Sequence, residues 1–224
     1  MYPKLVIDLN KVKNNLHKII DMVKGSGCSI MIVTKGYCAD MEIYKILEES
    51  NIDYLADSRI QNLRKYEGTK KERVLLRLPM NSEADEVVKY SDISLNSEIA
   101  TIRNLNEAAA KQNKVHKILL MIDLGDLREG IFFKNEDEIY RAVEEILKLK
   151  NIELFGLGVN LTCYGAVIPK KDNLSVLVEI AGKIENKYNI KLNMISGGNS
   201  SSVYLIEKKE LPEGINNLRV GEAF

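Results

Sequence analysis

The chain has no tryptophan, four prolines, four phenylalanines, three cysteines and two histidines in 224 residues. Cys28, Cys38 and Cys163 are odd in number and lack metal-ligand spacing, so neither a disulfide framework nor a zinc site can be read. His17 and His116 lie far apart, and no Ser-His-Asp or Cys-His set can be assembled from them. Lysine plus arginine and aspartate plus glutamate both number 32, so the formal net charge is zero. That balance gives no electrostatic case for nucleic acid or an anionic membrane. No apolar run approaches the roughly 20 residues of a membrane span. Residues 1–4 carry no signal-peptide core. A cytoplasmic, reduced, metal-free protein is the expectation. There is no low-complexity linker and no shift in composition, so residues 1–224 read as one domain.

What the chain does have is a repeated alternation of strand and helix. Apolar or β-rich runs at 29–34, 53–56, 74–78, 92–95, 117–122, 154–160, 192–195 and 217–220 are separated by stretches of helical periodicity. Runs without polar alternation suit strands covered on both faces, as in parallel sheets. Eight such units predict a (β/α)₈ barrel, an α/β fold for which about 250 residues is typical. A doubly wound open sheet is the other architecture this alternation allows. The chain stops at the eighth strand with no eighth helix after it. Either the first helix, 9–22, covers that gap, or the chain is the front part of a longer protein.

In a barrel the functional groups gather on the loops that follow the strands. Here those loops carry Lys35 and Tyr37, then Asp57 and Arg59, Asn96, Asp123 and Arg128, and Asn160, Thr162 and Tyr164. They end with the loop 196–202 and with Arg219 and Gly221. Lysine at the end of a buried strand is a candidate nucleophile or Schiff-base former. The loop 196–202 has Gly197 and Gly198 for close backbone approach, and donors on Asn199, Ser200, Ser201 and Ser202. A helix expected to open at Ser201 would add free N–H groups, at the place where barrels frequently hold phosphate. Arg219, between Leu218 and Val220, faces opposite to both and is a candidate for the barrel mouth. A lysine at one side and a phosphate cradle at the other suggest a ligand with an aldehyde and a phosphate, which pyridoxal 5'-phosphate (PLP) satisfies.

The order of these residues resembles the fold-type III PLP enzymes, the alanine racemase group, over the whole chain. The resemblance rests on Ile7, Asp8 and Leu9 before a helix, on Val33, Thr34 and Lys35, and on Ile122 and Asp123 with Arg128 and Gly130. Asn199 with Ser200, and Arg219, Val220 and Gly221, complete it. The strings LADSRIQNL, LLRLPM, DISLNSE, LMIDLGDLREG, NLTCYG, ISGGNSSS and GINNLRVGEA are similar to the ornithine racemase-like branch. The resemblance implies a PLP-dependent amino-acid racemase, acting on ornithine or another amino acid. Lys35 would hold PLP as a Schiff base and serve as one catalytic base. Arg219 would bond the pyridine nitrogen. Ser200 and the backbone of Gly221 and Glu222 would bind the phosphate, with Asn199 and Ser201 beside them. Arg128 would lie near the phenolic oxygen and the substrate carboxylate, with Asn160 and Tyr37 on that side.

There are departures from the family pattern. Ala39 stands where the family has a tyrosine four residues after the lysine. Asn160 replaces a histidine that stacks on the cofactor ring. The family's C-terminal β-domain, which brings the second base and builds a homodimer, has no counterpart here, and the opening strand at 5–7 belongs with that domain. The expectation is therefore the barrel of a longer enzyme, with racemisation weak or absent in this chain. Two other readings stay open. One is a single-domain PLP-binding homeostasis or carrier protein, whose chain end resembles residues 219–224. The other is a barrel for some other phosphorylated metabolite.

Overall fold

The computed structural model describes residues 3, 6–162 and 167–224. It begins with helix α1 (Leu9–Gly25), capped by Asp8, whose carboxylate accepts the N–H groups of Asn10 at 2.9 Å and Lys11 at 3.2 Å. Such a cap satisfies donors that the first helical turn cannot pair. Strand β1 (Ser29–Val33) follows, then α2 (Met41–Glu49), β2 (Tyr54–Asp57), α3 (Ile60–Arg64), β3 (Glu72–Leu75), α4 (Ala84–Tyr90), β4 (Ile93–Asn96) and α5 (Ile99–Lys111). The second half runs β5 (His116–Asp123), β6 (Ile131–Phe132), α6 (Glu136–Leu147), β7 (Ile152–Gly158), α7 (Lys171–Tyr188), β8 (Met194–Ser196), α8 (Val203–Glu207) and β9 (Asn217–Val220).

All strand pairs are parallel, in the order β4-β3-β2-β1-β9-β8-β7-β5, and β4 also pairs with β5. That last pairing closes eight strands into a barrel with helices between them, which settles the choice against an open sheet. Strand β6 is an addition: Ile131 and Phe132 lie beside Ile122 and Asp123 at the end of β5. The expected opening strand at 5–7 falls partly outside the described residues. Val6 and Ile7 form no strand, since nothing pairs with them, and Val6 is 85% exposed.

Alternation along the strands divides the core in two. Ile30 and Ile32 point outward to the helices and pack with residues such as Leu16, Ile20, Leu218 and Val220. Met31 and Val33 point inward and pack with Ala56, Val74, Leu95, Leu119, Met121 and Met194. This two-residue period also sets the site. Arg219 pairs in register with Met31, so it shares the inward face while its neighbours Leu218 and Val220 face out. No helix among the described residues is long and apolar enough to cross a membrane.

Candidate active site

The carboxyl ends of the strands surround one cavity of about 560 Å³, within the size range of small-molecule sites. Its lining includes Lys35, Arg128, Asn160, Asn199, Ser200, Arg219, Gly221 and Glu222, together with Ser58, Arg77 and Glu129. Four cationic side chains, Lys35, Arg77, Arg128 and Arg219, face two carboxylates, Glu129 and Glu222. That excess favours an anionic ligand.

Lys35 leaves β1 on a short 3-10 turn, Lys35–Tyr37. The turn is fixed from below: buried Thr34 donates its hydroxyl to Asp57 at 2.7 Å, and Asp57 also accepts from Asn62 at 3.0 Å and from the Arg59 N–H at 2.9 Å. Two successive left-handed residues, Cys38 (φ 52°) and Ala39 (φ 53°), then turn the chain into α2. Lys35 itself is exposed to the cavity mouth, and its amine has no hydrogen bond or ion pair among the described residues.

Arg219 is 2% exposed. Its guanidinium donates to Ser196 Oγ at 2.6 Å, to the Val159 carbonyl at 2.5 Å and to Asn160 Oδ1 at 2.6 Å. A guanidinium keeps its charge and has donors only, so burial commits it to acceptors. Asn160 in turn donates from Nδ2 to Glu129, and Arg128 Nε lies 2.8 Å from the same carboxylate. Gly130 permits this loop to lie against β5: its φ is +109°, and a Cβ there would stand 2.6 Å from the Asp123 nitrogen.

The loops expected to hold a phosphate meet each other. Ser200 Oγ accepts the N–H groups of Gly221 at 3.2 Å and Glu222 at 3.1 Å. Asn199 caps the turn at Ser200–Ser202, accepting from the Ser201 N–H at 2.9 Å, and donates to the Leu161 carbonyl at 2.9 Å. The helix after this turn is α8, a short one that begins at Val203 rather than Ser201. The two glycines also act differently from expectation. A Cβ on Gly197 would meet Ile215 at 2.5 Å, and one on Gly198 (φ +108°) would meet Ser202 Oγ at 2.7 Å, so both keep the loop compact.

Two expected site residues stand outside the cavity lining, Ser201 and Tyr37. The Ser201 N–H is spent on Asn199. Tyr37 is carried by the 3-10 turn away from Lys35 and packs edge-on against Phe224, ring centroids 6.1 Å apart. Its hydroxyl is buried without a partner among the described residues, and burial, with Tyr66, Asp57 and Asp40 adding to it, pushes its pKa far up. Asp57 and Asp123 serve backbone and loop groups instead of the cavity, Asp123 accepting from Gly125 and Leu127. Cys163 and Tyr164 lie outside the described residues. The sequence reading missed Glu129, Arg77 and Ser58. The first sits next to Arg128 in a loop already singled out; Ser58 directly follows β2 and Arg77 comes two residues after β3, which is the signal that could have found them.

The donor set fits PLP: an accessible amine, a buried cationic donor, and a hydroxyl with two backbone N–H groups all border one cavity. Among known proteins, the chain is 54% identical over 223 residues to ornithine racemase from Acetoanaerobium sticklandii, spanning all of this chain and 63% of that protein. It is 37% identical over 225 residues to lysine racemase from Thermotoga maritima, spanning all of this chain and 62% of that protein. Alanine racemase from Clostridium difficile 630 shares the fold, with a TM-score of 0.81 at 20% identity over 97% of this chain and 56% of the other. Homologues in this group use PLP. A family model described as the alanine racemase N-terminal domain matches residues 7–224, and the chain belongs to that family.

Proposed function

We propose that this chain is the cofactor barrel of a PLP-dependent racemase for an amino acid with a basic side chain, ornithine foremost. The observation that carries it is the meeting of Lys35, Arg219 and the cradle of Ser200, Gly221 and Glu222 around one cavity. The substrate class is supported by the ornithine and lysine racemases, of which the chain spans 63% and 62%.

When bound, PLP supplies an electron sink for the carbanion formed at the substrate Cα. Lys35 would hold it covalently, Arg219 its ring nitrogen, and Ser200 with the Gly221 and Glu222 N–H groups its phosphate. Arg219 would donate a hydrogen bond there without transferring a proton, since a guanidinium keeps its charge. Lys35 Nζ, freed as an amine when the substrate amine takes its place on the cofactor, would take the Cα proton on its own face of the substrate, and Arg128 would orient the substrate carboxylate by a charge-assisted bond.

The test is to incubate the chain with PLP, reduce with borohydride and map the label. The expected result is modification of Lys35, lost in Lys35→Ala with the melting temperature unchanged, since an exposed side chain away from core contacts costs within about 0.5 kcal/mol. A label elsewhere, or none, refutes the proposal. Exchange of the L-ornithine Cα proton in D₂O then separates a racemase from a protein that only carries the cofactor.

A further inference from the structure

We infer that Glu129 is a positioning residue that locks two of the cavity's arginines, Arg128 and Arg219, into one polar chain through Asn160. It rests on the PLP reading only for what those arginines act upon. The chain is Arg219 Nη2 to Asn160 Oδ1 (2.6 Å), Asn160 Nδ2 to Glu129, and Arg128 Nε to Glu129 Oε2 (2.8 Å).

Charge fixes its direction. An asparagine amide has one accepting and one donating end, and its two orientations are ordinarily hard to tell apart. Here a guanidinium stands on one side and a carboxylate on the other. Reversing the amide would set N–H against N–H and oxygen against oxygen at once. Asn160 therefore transmits the position of Glu129 to Arg219. The Glu129 carboxylate is well placed for this, with only 12% of its side chain exposed, so solvent screens it little. Arg128 is more exposed, at 38%, and sits on the loop between β5 and β6, where its ion pair with Glu129 limits its freedom. Truncating either neighbour would leave Glu129 a buried charge short of a partner.

The chain can be tested by exchanging the charges of its centre. Asn160→Asp keeps the acceptor for Arg219 and places a second carboxylate against Glu129. Glu129→Gln restores a donor to that carboxylate while losing the pair with Arg128. Two readouts are taken on the wild type, both single variants and the double variant: urea unfolding without cofactor, and PLP affinity by absorbance titration. Each single variant is expected to weaken PLP binding by about ten- to a hundredfold, the range for one charge-assisted hydrogen bond. The double variant is expected to recover most of that loss and to be more stable than Asn160→Asp alone.

Additive effects in both readouts overturn the inference, because independent residues add. Glu129→Gln binding PLP as tightly as the wild type also overturns it. If the wild type takes up no PLP, the functional reading falls. The unfolding cycle then decides on Glu129 alone: rescue supports the chain, additivity refutes it.

Discussion

His116 opens β5 at the end of the barrel away from the cavity, and acid should expose its cost. It is 2% exposed, its Nε2 is 2.8 Å from Ser94 Oγ, and Ser94 is itself fully buried and bonded by Asn96 at 2.9 Å. Burial is the main cause that lowers its pKa from 6.5 to about 4, against an opposing pull from Asp92. A base whose folded pKa is depressed binds its proton first in the unfolded chain, so stability is complete above pH 6.5 and falls as pH drops toward 4. At pH 5 this ring alone shifts the balance toward the unfolded chain by about 2 kcal/mol, and the limit below pH 4 is about 3 kcal/mol. The assay is urea unfolding from pH 8 to pH 4.5, for the wild type and for His116→Gln. The variant cannot titrate there but retains groups able to bond Ser94. The difference between the two curves cancels every other titrating group, and it should shrink by about 2 kcal/mol between pH 8 and pH 5. Parallel curves would show that the ring is solvated or charged in the folded protein, and the reasoning would fail.

Gly156 lies where β7 meets β8, and a Cβ there would come within 1.8 Å of the Met194 carbonyl oxygen. Gly156→Ala should therefore cost about 3 kcal/mol or more in chemical denaturation, as overpacking against backbone does; a loss under about 1 kcal/mol would mean that the strands part freely. Tyr66 is fully buried, yet its hydroxyl has no hydrogen-bond partner among the described residues. Tyr66→Phe should leave stability within about 1 kcal/mol of the wild type or raise it, since no bond is lost and a desolvated hydroxyl goes; a larger loss would reveal a bond to Thr34 or to buried water.

The barrel was legible because its two periodicities are written plainly. Uninterrupted strands such as Ile30, Met31, Ile32 and Val33 need cover on both sides, and Arg219 between Leu218 and Val220 declares its face by alternation. Lys35, Arg128 and the serine loop were legible from their places after strands. What escaped reading depends on loop geometry. Tyr37 follows Lys35 by two residues, but a 3-10 turn closed by two left-handed residues sends its ring to Phe224. Gly197 and Gly198 suit a ligand-binding loop in composition, yet Ile215 and Ser202 occupy the space they leave. Glu129 carries no pattern of its own in the sequence; the fold of its loop, which Gly130 permits, brings it to Asn160. Strand β6 has only two residues, too short for alternation to register.

The first and last strands of the barrel, β1 and β9, lie side by side, and there Asn217 Nδ2 reaches the Ser29 carbonyl across 188 positions of sequence. Lys35 follows one of those strands; Arg219 lies in the other, and Gly221 and Glu222 follow it. Two sides of the cavity therefore come from the first and last strands of the barrel, with the loops between them completing the lining. Joining ends so far apart carries a length-dependent entropy cost of roughly 5 kcal/mol, which local helices and hairpins escape. During synthesis the lysine emerges early and waits, without a cradle, until the residues of β9 and the turn after it arrive. A ligand that bridges the two strands would act as a clasp on this seam, and its binding would be felt first as slower opening of the barrel there.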